Sequence, residues 1–354
     1  MPSDRIALFG GEYSLAQLRD AVPYLGGIAG VRPVRLFEGA ERDVLAVDVR
    51  TGSGLEYTVV PDRGMNICNV RYRGIPLDWT SGTGVVAPAS YDSSAWQWLR
   101  SFHGGLVHTC GLDNVGFPVT DETVKWDNKS FGGHGRISST PAREVSWKTK
   151  EKDGTLQFKV SGKCYSISAL EETLLLERRV VSELGGMRIS LSDRITNLGR
   201  EPTPIFLLYH CNFGFPLLSA QSVFTLPAKS AVDMEGRPVA DFLRITGPSD
   251  SPLEQVLYPE ISSEDVRILL RNPAIEGTGL GVAISYKKKE LPYLTIWKQF
   301  SSRIYVMGVE PGTCRVEGRI AERGAGRALM LAPDETRTFS LEFEVLDSGR
   351  RKNG

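Results

Sequence analysis

The sequence predicts an all-β protein in which short antiparallel strands form a sandwich or a barrel. The first observation is a two-residue alternation of apolar and polar side chains, clearest at residues 186–196 and 338–346. The second is the presence of 37 glycines and 20 prolines, which break these runs with turns. The third is the scarcity of helical periodicity, so the helices that we expect are few and short.

Each predicted strand is a run whose side chains alternate between the two faces of a sheet. In residues 338–346, Phe339, Leu341 and Phe343 share one face, while serine and glutamate side chains share the other. That pattern is typical of a half-buried strand. Further strands are predicted at residues 44–49, 55–60, 155–160, 172–181, 222–226, 266–270, 280–286 and 303–309.

Helical signals are confined to two short segments. Ser14 and Gln17 have the spacing of a capping box, and Pro23 ends the helix that follows them. Residues 93–99, which carry Trp96 and Trp98, are predicted to form a second short turn.

The chain is predicted to form one domain over residues 1–354, because no repeat or linker divides it. Residues 1–40 would form a helix and strand extension, and residues 350–354 a frayed tail. Residues 80–135 are rich in glycine, aromatic residues and histidine. We expect them to form long ordered loops at the rim of a sheet, where binding sites often lie.

Charge and cysteine content limit the class of protein. Forty-two basic and 42 acidic residues give a net charge of zero, which argues against a nucleic-acid or anionic-membrane partner. No apolar run is long enough to span a membrane, and the first 20 residues show no secretory signal. Five cysteines without a Cys-x-x-Cys motif predict buried thiols in a reducing, cytoplasmic setting.

Four histidines and one glutamate are the candidates for proton transfer. His103, His134 and His210 stand beside glycine or other turn-forming residues, which leaves an imidazole accessible. The fourth is His108. Glu310 follows the strand predicted at residues 303–309 and precedes Pro-Gly, so we expect it at the end of that strand. Each of these residues taken alone is also compatible with an ordinary structural role.

Arginine and aromatic residues indicate the class of ligand. Arg63 lies between Pro61 and Gly64, in a turn that could aim its guanidinium inward. Trp96 and Trp98 lie in the loop-rich stretch, where aromatic rings could pack on the C–H faces of a sugar. Packing within the core is the alternative for each tryptophan.

Six short motifs are spread along the chain. Residues 193–199 read Asp-Arg-Ile-Thr-Asn-Leu-Gly, and residues 209–214 read Tyr-His-Cys-Asn-Phe-Gly. The other four are Pro-Asp-Arg-Gly-Met at 61–65, Thr-Cys-Gly-Leu at 109–112, His-Gly-Arg-Ile-Ser at 134–138 and Gly-Val-Glu-Pro-Gly at 308–312. The first two motifs resemble the aldose 1-epimerases, or galactose mutarotases, and the other four resemble more closely the DUF4432-type branch of that superfamily.

The resemblance implies a galactose mutarotase-like β-supersandwich with a shallow sugar site on one sheet face. His210 matches the general acid that protonates the ring oxygen, and Glu310 the general base that takes the proton of the anomeric hydroxyl. Arg63 matches a substrate-binding arginine. His134 is preferred over His103 for a second, orienting histidine, and His103 becomes a further ligand contact.

Three more residues complete the expected set of substrate contacts. Asn212 belongs to the motif that carries His210, and Trp297 lies in the segment preceding Glu310. Lys298, next to Trp297, would reach an acidic group of the ligand if it lines the site, which would favour a sugar acid or phosphosugar.

The expected activity is interconversion of the anomers or epimers of a free sugar or sugar derivative, without a metal or other cofactor. One alternative is a non-catalytic carbohydrate-binding or sensing protein on the same fold, because a fold does not fix a reaction. Another is a metal-dependent sugar isomerase that uses the histidines and Glu310 as ligands. The expected partner is a small carbohydrate, and the chain is expected to be a monomer or a homodimer. The sequence leaves open which sugar and which carbon react.

Overall fold

Antiparallel strands dominate the computed structural model, which describes residues 5–125, 129–251, 254–277 and 279–349. The strands are β1 (Ile6–Leu8), β2 (Gly11–Tyr13), β3 (Gly30–Arg35), β4 (Leu45–Arg50), β5 (Leu55–Val60), β6 (Asn66–Tyr72), β7 (Ile75–Pro76), β8 (His108–Leu112), β9 (Val119–Thr120), β10 (Ser130–Phe131), β11 (Arg143–Lys152), β12 (Thr155–Ile167), β13 (Thr173–Glu183), β14 (Arg188–Asn197), β15 (Thr203–Gly214), β16 (Val223–Thr225), β17 (Ala228–Asp233), β18 (Gln255–Ile261), β19 (Asp265–Asn272), β20 (Leu280–Lys287), β21 (Tyr293–Ser301), β22 (Ile304–Gly312), β23 (Leu329–Leu331) and β24 (Thr336–Asp347). Within those ranges the α-helices are α1 (Leu15–Ala21) and α2 (Arg319–Gly324).

The largest sheet has eight strands in the order β11-β12-β13-β14-β24-β20-β19-β16. Its long strands alternate between buried and less buried side chains, as the two-residue period predicts. Every run that the sequence marks as a strand overlaps a strand of the structure, and some runs begin or end one or two residues outside it. The prediction of an all-β antiparallel fold is therefore confirmed.

A second sheet of seven strands follows the order β17-β18-β21-β22-β15-β23, with β8 also paired to β15. Along β15, the side chains of Leu207, Tyr209, Cys211 and Phe213 enter the main core between the sheets. The alternating residues, His210 among them, therefore point to the opposite face. A smaller apolar cluster that includes Trp98, Phe102 and Leu208 covers part of that face.

A third sheet, of order β3-β4-β5-β6-β7, packs its apolar side chains into the same main core. Before it, β1 and β2 form a hairpin. Ser14 is the N-cap of α1, and its side chain and that of Gln17 form the predicted capping box. The segment predicted as a turn at 93–99 gives a 3-10 helix at Gln97–Arg100. The tail predicted to fray, 350–354, lies outside the described residues.

A buried ion pair ties the two large sheets together behind the strand that carries His210. Arg178 of β13 donates from Nε to Asp193 Oδ1 over 2.8 Å and from Nη2 to Asp193 Oδ2 over 2.5 Å. The hydroxyl of Tyr209 in β15 donates to the same Asp193 over 2.7 Å, and Arg178 Nη1 donates to Thr109 of β8. These contacts fix β15 and β8 against the eight-stranded sheet, since a buried charge left without its partner is strongly destabilising.

The five cysteines are all buried and unpaired, as predicted. No helix in the described part of the chain is long and apolar enough to cross a membrane.

The prediction that Glu310 ends its strand is wrong. Strand β22 continues to Gly312, because β21 and β15 flank it on both sides and Leu294 and Leu208 pair with Pro311 and Gly312.

Candidate functional site

A cavity of about 750 Å³ opens on the face of the seven-stranded sheet that points away from the main core. Its floor is formed by side chains of β15, β21 and β22, and its walls come from the loops between residues 96 and 134 and from the β17–β18 region. The residues that line it include Trp96, Trp98, Phe102, Phe117, His134, His210, Asp233, Glu235, Arg237, Glu254, Thr295, Trp297 and Glu310. The loop-rich stretch therefore supplies one wall of the candidate site, as its composition predicts.

Strand register sets the polar floor of this cavity. Cys211 pairs with Val309, which places His210 beside Glu310 on the neighbouring strand. Glu310 in turn pairs with Thr295 across β21 and β22. A row of three polar side chains therefore crosses three strands at the same height, because residues directly opposite one another share a face.

His210 and Glu310 are in contact within this row. Nε2 of His210 lies 3.2 Å from Oε1 of Glu310, and the side chains are 5% and 2% exposed. This contact is not a hydrogen bond, and Oε1 has no hydrogen-bond partner in the described residues. Nδ1 of His210 and Oγ1 of Thr295 are likewise without partners. Buried polar atoms of native proteins are seldom left in this way, which marks the floor as a place where a polar ligand binds.

Burial shifts the pKa values of both groups toward their uncharged forms. It lowers the pKa of His210 well below 6.5, and the neighbouring His134 adds to that shift. It raises the pKa of Glu310 well above 4.5. The close contact opposes both shifts, since a protonated imidazole and a carboxylate attract each other strongly at this depth. The proton lies either on Glu310 beside a neutral His210 or on His210 beside an ionised Glu310. In both states the pair holds one ionisable proton.

His134 and aromatic rings complete the wall around the pair. The ring centroids of His134 and His210 are 5.8 Å apart, and Trp98 packs against His134 at 4.6 Å. Trp297 meets His210 edge to face at 5.5 Å, and Phe102 lies 5.0 Å from the same imidazole. Burial lowers the pKa of His134 to about 4, so this imidazole is neutral at physiological pH.

Arg63 does not line the cavity. The turn at Pro61–Arg63 aims its side chain into the protein, where the guanidinium donates to the carbonyls of Ser138, Val86 and Ser101 over 2.6–2.9 Å. Its side chain is fully buried, and desolvation lowers its pKa to about 10. Arg63 therefore connects three loop segments, because Nε, Nη1 and Nη2 of its guanidinium each donate to a backbone carbonyl.

Three other residues expected at the ligand also lie outside the cavity lining. His103 is buried with both ring nitrogens unpartnered within the described residues. Asn212 donates from Nδ2 to the carbonyls of Gly105 and His210. The ammonium of Lys298 donates to the carbonyls of Phe242 and Arg244 over 2.7 and 2.9 Å, and burial lowers its pKa to about 8. The structure thus brings together His210, Glu310, His134 and Trp297 from the predicted set.

The polar residues at the cavity mouth were not predicted from the sequence. Arg237 donates to Asp233 and Glu235 over 2.7 Å, and Glu254 accepts a hydrogen bond from Nε1 of Trp297 over 2.7 Å. These side chains lie in or next to polar connections between strands, which look like ordinary solvated loops in the sequence. Thr295 could have been found, because it lies two residues before Trp297 on one strand face.

The described side chains contain no group of three or more His, Cys, Asp or Glu residues arranged to hold a metal ion. His103 is not among the residues that line the cavity, and His210 and Glu310 contact each other. The hypothesis of a metal-dependent isomerase therefore finds no supporting ligand set in this part of the chain.

Comparisons with known proteins identify the family and the fold of the chain. Residues 41–345 match the family model described as a domain of unknown function, DUF4432, and no curated protein matches the sequence. A solved structure from Klebsiella pneumoniae, provisionally described as an aldose 1-epimerase, is 25% identical with a TM-score of 0.80, covering 90% of this chain and 84% of that chain.

More distant structures show the same fold. A galactose mutarotase-like protein from Clostridium acetobutylicum is 13% identical with a TM-score of 0.59, covering 91% of this chain and 99% of that chain. A protein from Salmonella typhimurium, provisionally described as a mutarotase, is 9% identical with a TM-score of 0.58, covering 90% and 94%. The chain therefore belongs to the DUF4432 family, within the superfamily of aldose 1-epimerase-like and galactose mutarotase-like proteins.

Proposed function

We propose that this protein is a mutarotase-like isomerase that interconverts the anomers of a free sugar by acid–base catalysis. The observation that carries the proposal is the contact of His210 Nε2 with Glu310 Oε1 over 3.2 Å on the floor of a cavity of about 750 Å³. Both oxygens of a hemiacetal are attached to the same carbon. An acid and a base that act on them together must therefore lie close to each other, as these two groups do.

In the proposed reaction, Glu310 takes the proton of the anomeric hydroxyl while His210 gives a proton to the ring oxygen. The electron pair of the O–H bond forms the carbonyl, and the bond between C1 and the ring oxygen breaks with its electrons moving to that oxygen. The product is the open aldehyde, with Glu310 protonated and His210 neutral. Rotation about C1–C2 and reclosure with reversed proton transfers give the other anomer.

The shared proton supports this cycle. The reactive form carries the proton on His210, and the form left after ring opening carries it on Glu310. Burial favours the second form, whereas the attraction between opposite charges favours the first. His134, neutral and next to His210, is proposed to orient the sugar, and the rings of Trp98 and Trp297 to pack on its C–H faces.

The charges at the mouth favour an uncharged sugar. Arg237 is the only cationic side chain among the described residues that line the cavity, and it is paired with Asp233 and Glu235. Glu254 adds a further carboxylate. Since Lys298 does not reach the cavity, no described group is placed to neutralise a phosphate or a sugar acid.

Exchange NMR on a panel of aldoses, ketoses, sugar acids and phosphosugars tests the proposal. For at least one uncharged sugar, we expect anomer exchange faster than in buffer, and a loss of about 10²–10⁴-fold in both His210→Ala and Glu310→Gln. Glu56→Gln, at an exposed strand position, is the matched control. Binding without accelerated exchange would instead favour the non-catalytic carbohydrate-binding alternative.

A further inference from the structure

A second, smaller cavity lies at the other end of the strands that carry His210 and Glu310. It has a volume of about 360 Å³, is lined by residues of β6, β7 and the ends of β15 and β22, and shares no lining residue with the larger cavity. Phe215 follows β15 five residues after His210, a distance of about 16 Å along an extended chain. The volume falls within the range of small-molecule sites.

The polar feature of this cavity is a buried carboxyl group. Asp78 is 6% exposed, and its Oδ2 has no hydrogen-bond partner in the described residues. Burial raises the pKa of Asp78 to about 7, although the nearby backbone N–H groups of Val70, Asp78 and Leu106 and the charge of Arg71 act in the opposite direction. An oxygen that is buried without a partner is unfavourable unless a ligand or water donates to it, so Asp78 marks a ligand position.

The remaining lining combines aromatic rings with two guanidinium groups. Trp79, Phe215 and Tyr305 contribute the rings, and Arg71 and Arg303 the charges. Phe215 is 77% exposed, an unusual position for a phenylalanine and one that presents an apolar face to a ligand. Arg303 is exposed in the turn between β21 and β22.

We propose that this cavity is a second binding site, for a small uncharged polyhydroxylated ligand of the size of a monosaccharide. An anion would face the unpartnered oxygen of Asp78, and a cation would face Arg71 and Arg303. Hydroxyl groups satisfy both, because each can donate to the carboxylate and accept from a guanidinium. The C–H face of a pyranose or furanose ring covers the exposed Phe215.

Saturation-transfer NMR titrations test this site independently of the proposed function. The probes are glucose, galactose, mannose and arabinose, together with their methyl glycosides, which cannot open and so bind without reacting. The protein carries Trp297→Ala, which removes an aromatic ring from the lining of the larger cavity. We expect at least one probe to bind this variant, and Phe215→Ala or Asp78→Asn added to it to weaken that binding about tenfold or more.

Phe37→Ala is the matched control, because Phe37 is 80% exposed and lies in neither cavity. In the otherwise unchanged protein, Phe215→Ala is expected to leave anomer exchange at the value of the Phe37→Ala control. The proposal is overturned if no probe binds the Trp297→Ala protein, or if Phe215→Ala and Phe37→Ala bind every probe equally well. Since Phe215 is exposed, its replacement tests the site even if Asp78→Asn fails to fold.

Discussion

Gly308 leaves open the space that the Glu310 carboxylate occupies. The two residues are two positions apart in β22, so their side-chain directions share one face of the sheet. A Cβ atom at position 308 would overlap Oε1 of Glu310, and would lie 3.0 Å from Cε1 of His210 and 3.2 Å from Cβ of Trp297. The contact between His210 and Glu310 therefore depends on the missing side chain of a neighbouring glycine.

Gly308→Ala is expected to lower kcat/KM for anomer exchange by about tenfold or more while the protein remains folded, because displacement of a catalytic group by even 1 Å is costly. Gly82→Ala is the matched control, since no atom lies within 4 Å of its added Cβ. Exchange rates by NMR and circular dichroism spectra make the comparison. Full activity in Gly308→Ala would show that the present position of Glu310 is not required.

The pH profile of kcat/KM is expected to be bell-shaped. Between the lowered pKa of His210 and the raised pKa of Glu310 the pair holds one proton, which is the active state. A second proton, gained below the ordinary histidine range, removes the base, and loss of the single proton at high pH removes the acid. Exchange rates measured across the pH range on a reactive sugar, with the buffer-catalysed rate subtracted, check this. A profile without a fall on either side would contradict the assignment.

Phosphorylation of the sugar is expected to raise KM about tenfold or more, because Asp233, Glu235 and Glu254 outnumber Arg237 at the mouth. Comparison of a reactive hexose with its 6-phosphate at low and high salt tests this, since salt should reduce the difference. Glu254→Gln, which removes a charge and keeps an oxygen that can accept from Trp297, should also reduce it. A preference for the phosphate would contradict the proposal of an uncharged substrate.

Arg63→Met is expected to lower the free energy of unfolding by on the order of 3 kcal/mol, because three carbonyls lose their donor. Arg200→Met, at an exposed turn position, is the matched control. Urea unfolding gives the difference. A variant of unchanged stability whose KM alone has risen would instead place the guanidinium of Arg63 at the substrate.

Acidification is expected to destabilise the protein in part through His103. Its pKa is lowered by burial from 6.5 to about 3, so between these pH values only the unfolded chain binds the proton. The contribution is thus complete above pH 6.5 and falls as the pH is lowered, by on the order of 5 kcal/mol at most. His103→Leu, which removes ring nitrogens that have no partners, should make urea stability less dependent on pH. Parallel pH dependences for the two proteins would contradict this.

Local sequence patterns predicted some residues of the candidate site but not the contacts that their side chains make. His210 and Glu310 lie in segments whose alternation and motifs mark them, and the structure places them in contact. Lys298 and Asn212 lie in the same segments, but their side chains bond to backbone carbonyls outside the cavity lining. The position of a polar residue in the sequence does not show which group its side chain hydrogen-bonds in the folded protein.

The sequence by itself determined the strands, because the two-residue period of apolar side chains follows directly from the geometry of an extended chain. It also determined the short helix at Ser14, whose capping box is a local interaction. Only the tertiary structure decided that β22 continues through Pro311, that Arg63 bonds to three loops, and that Arg237 and Glu254 face the cavity. These features depend on strand register and on contacts between residues far apart in the chain, which no local pattern encodes.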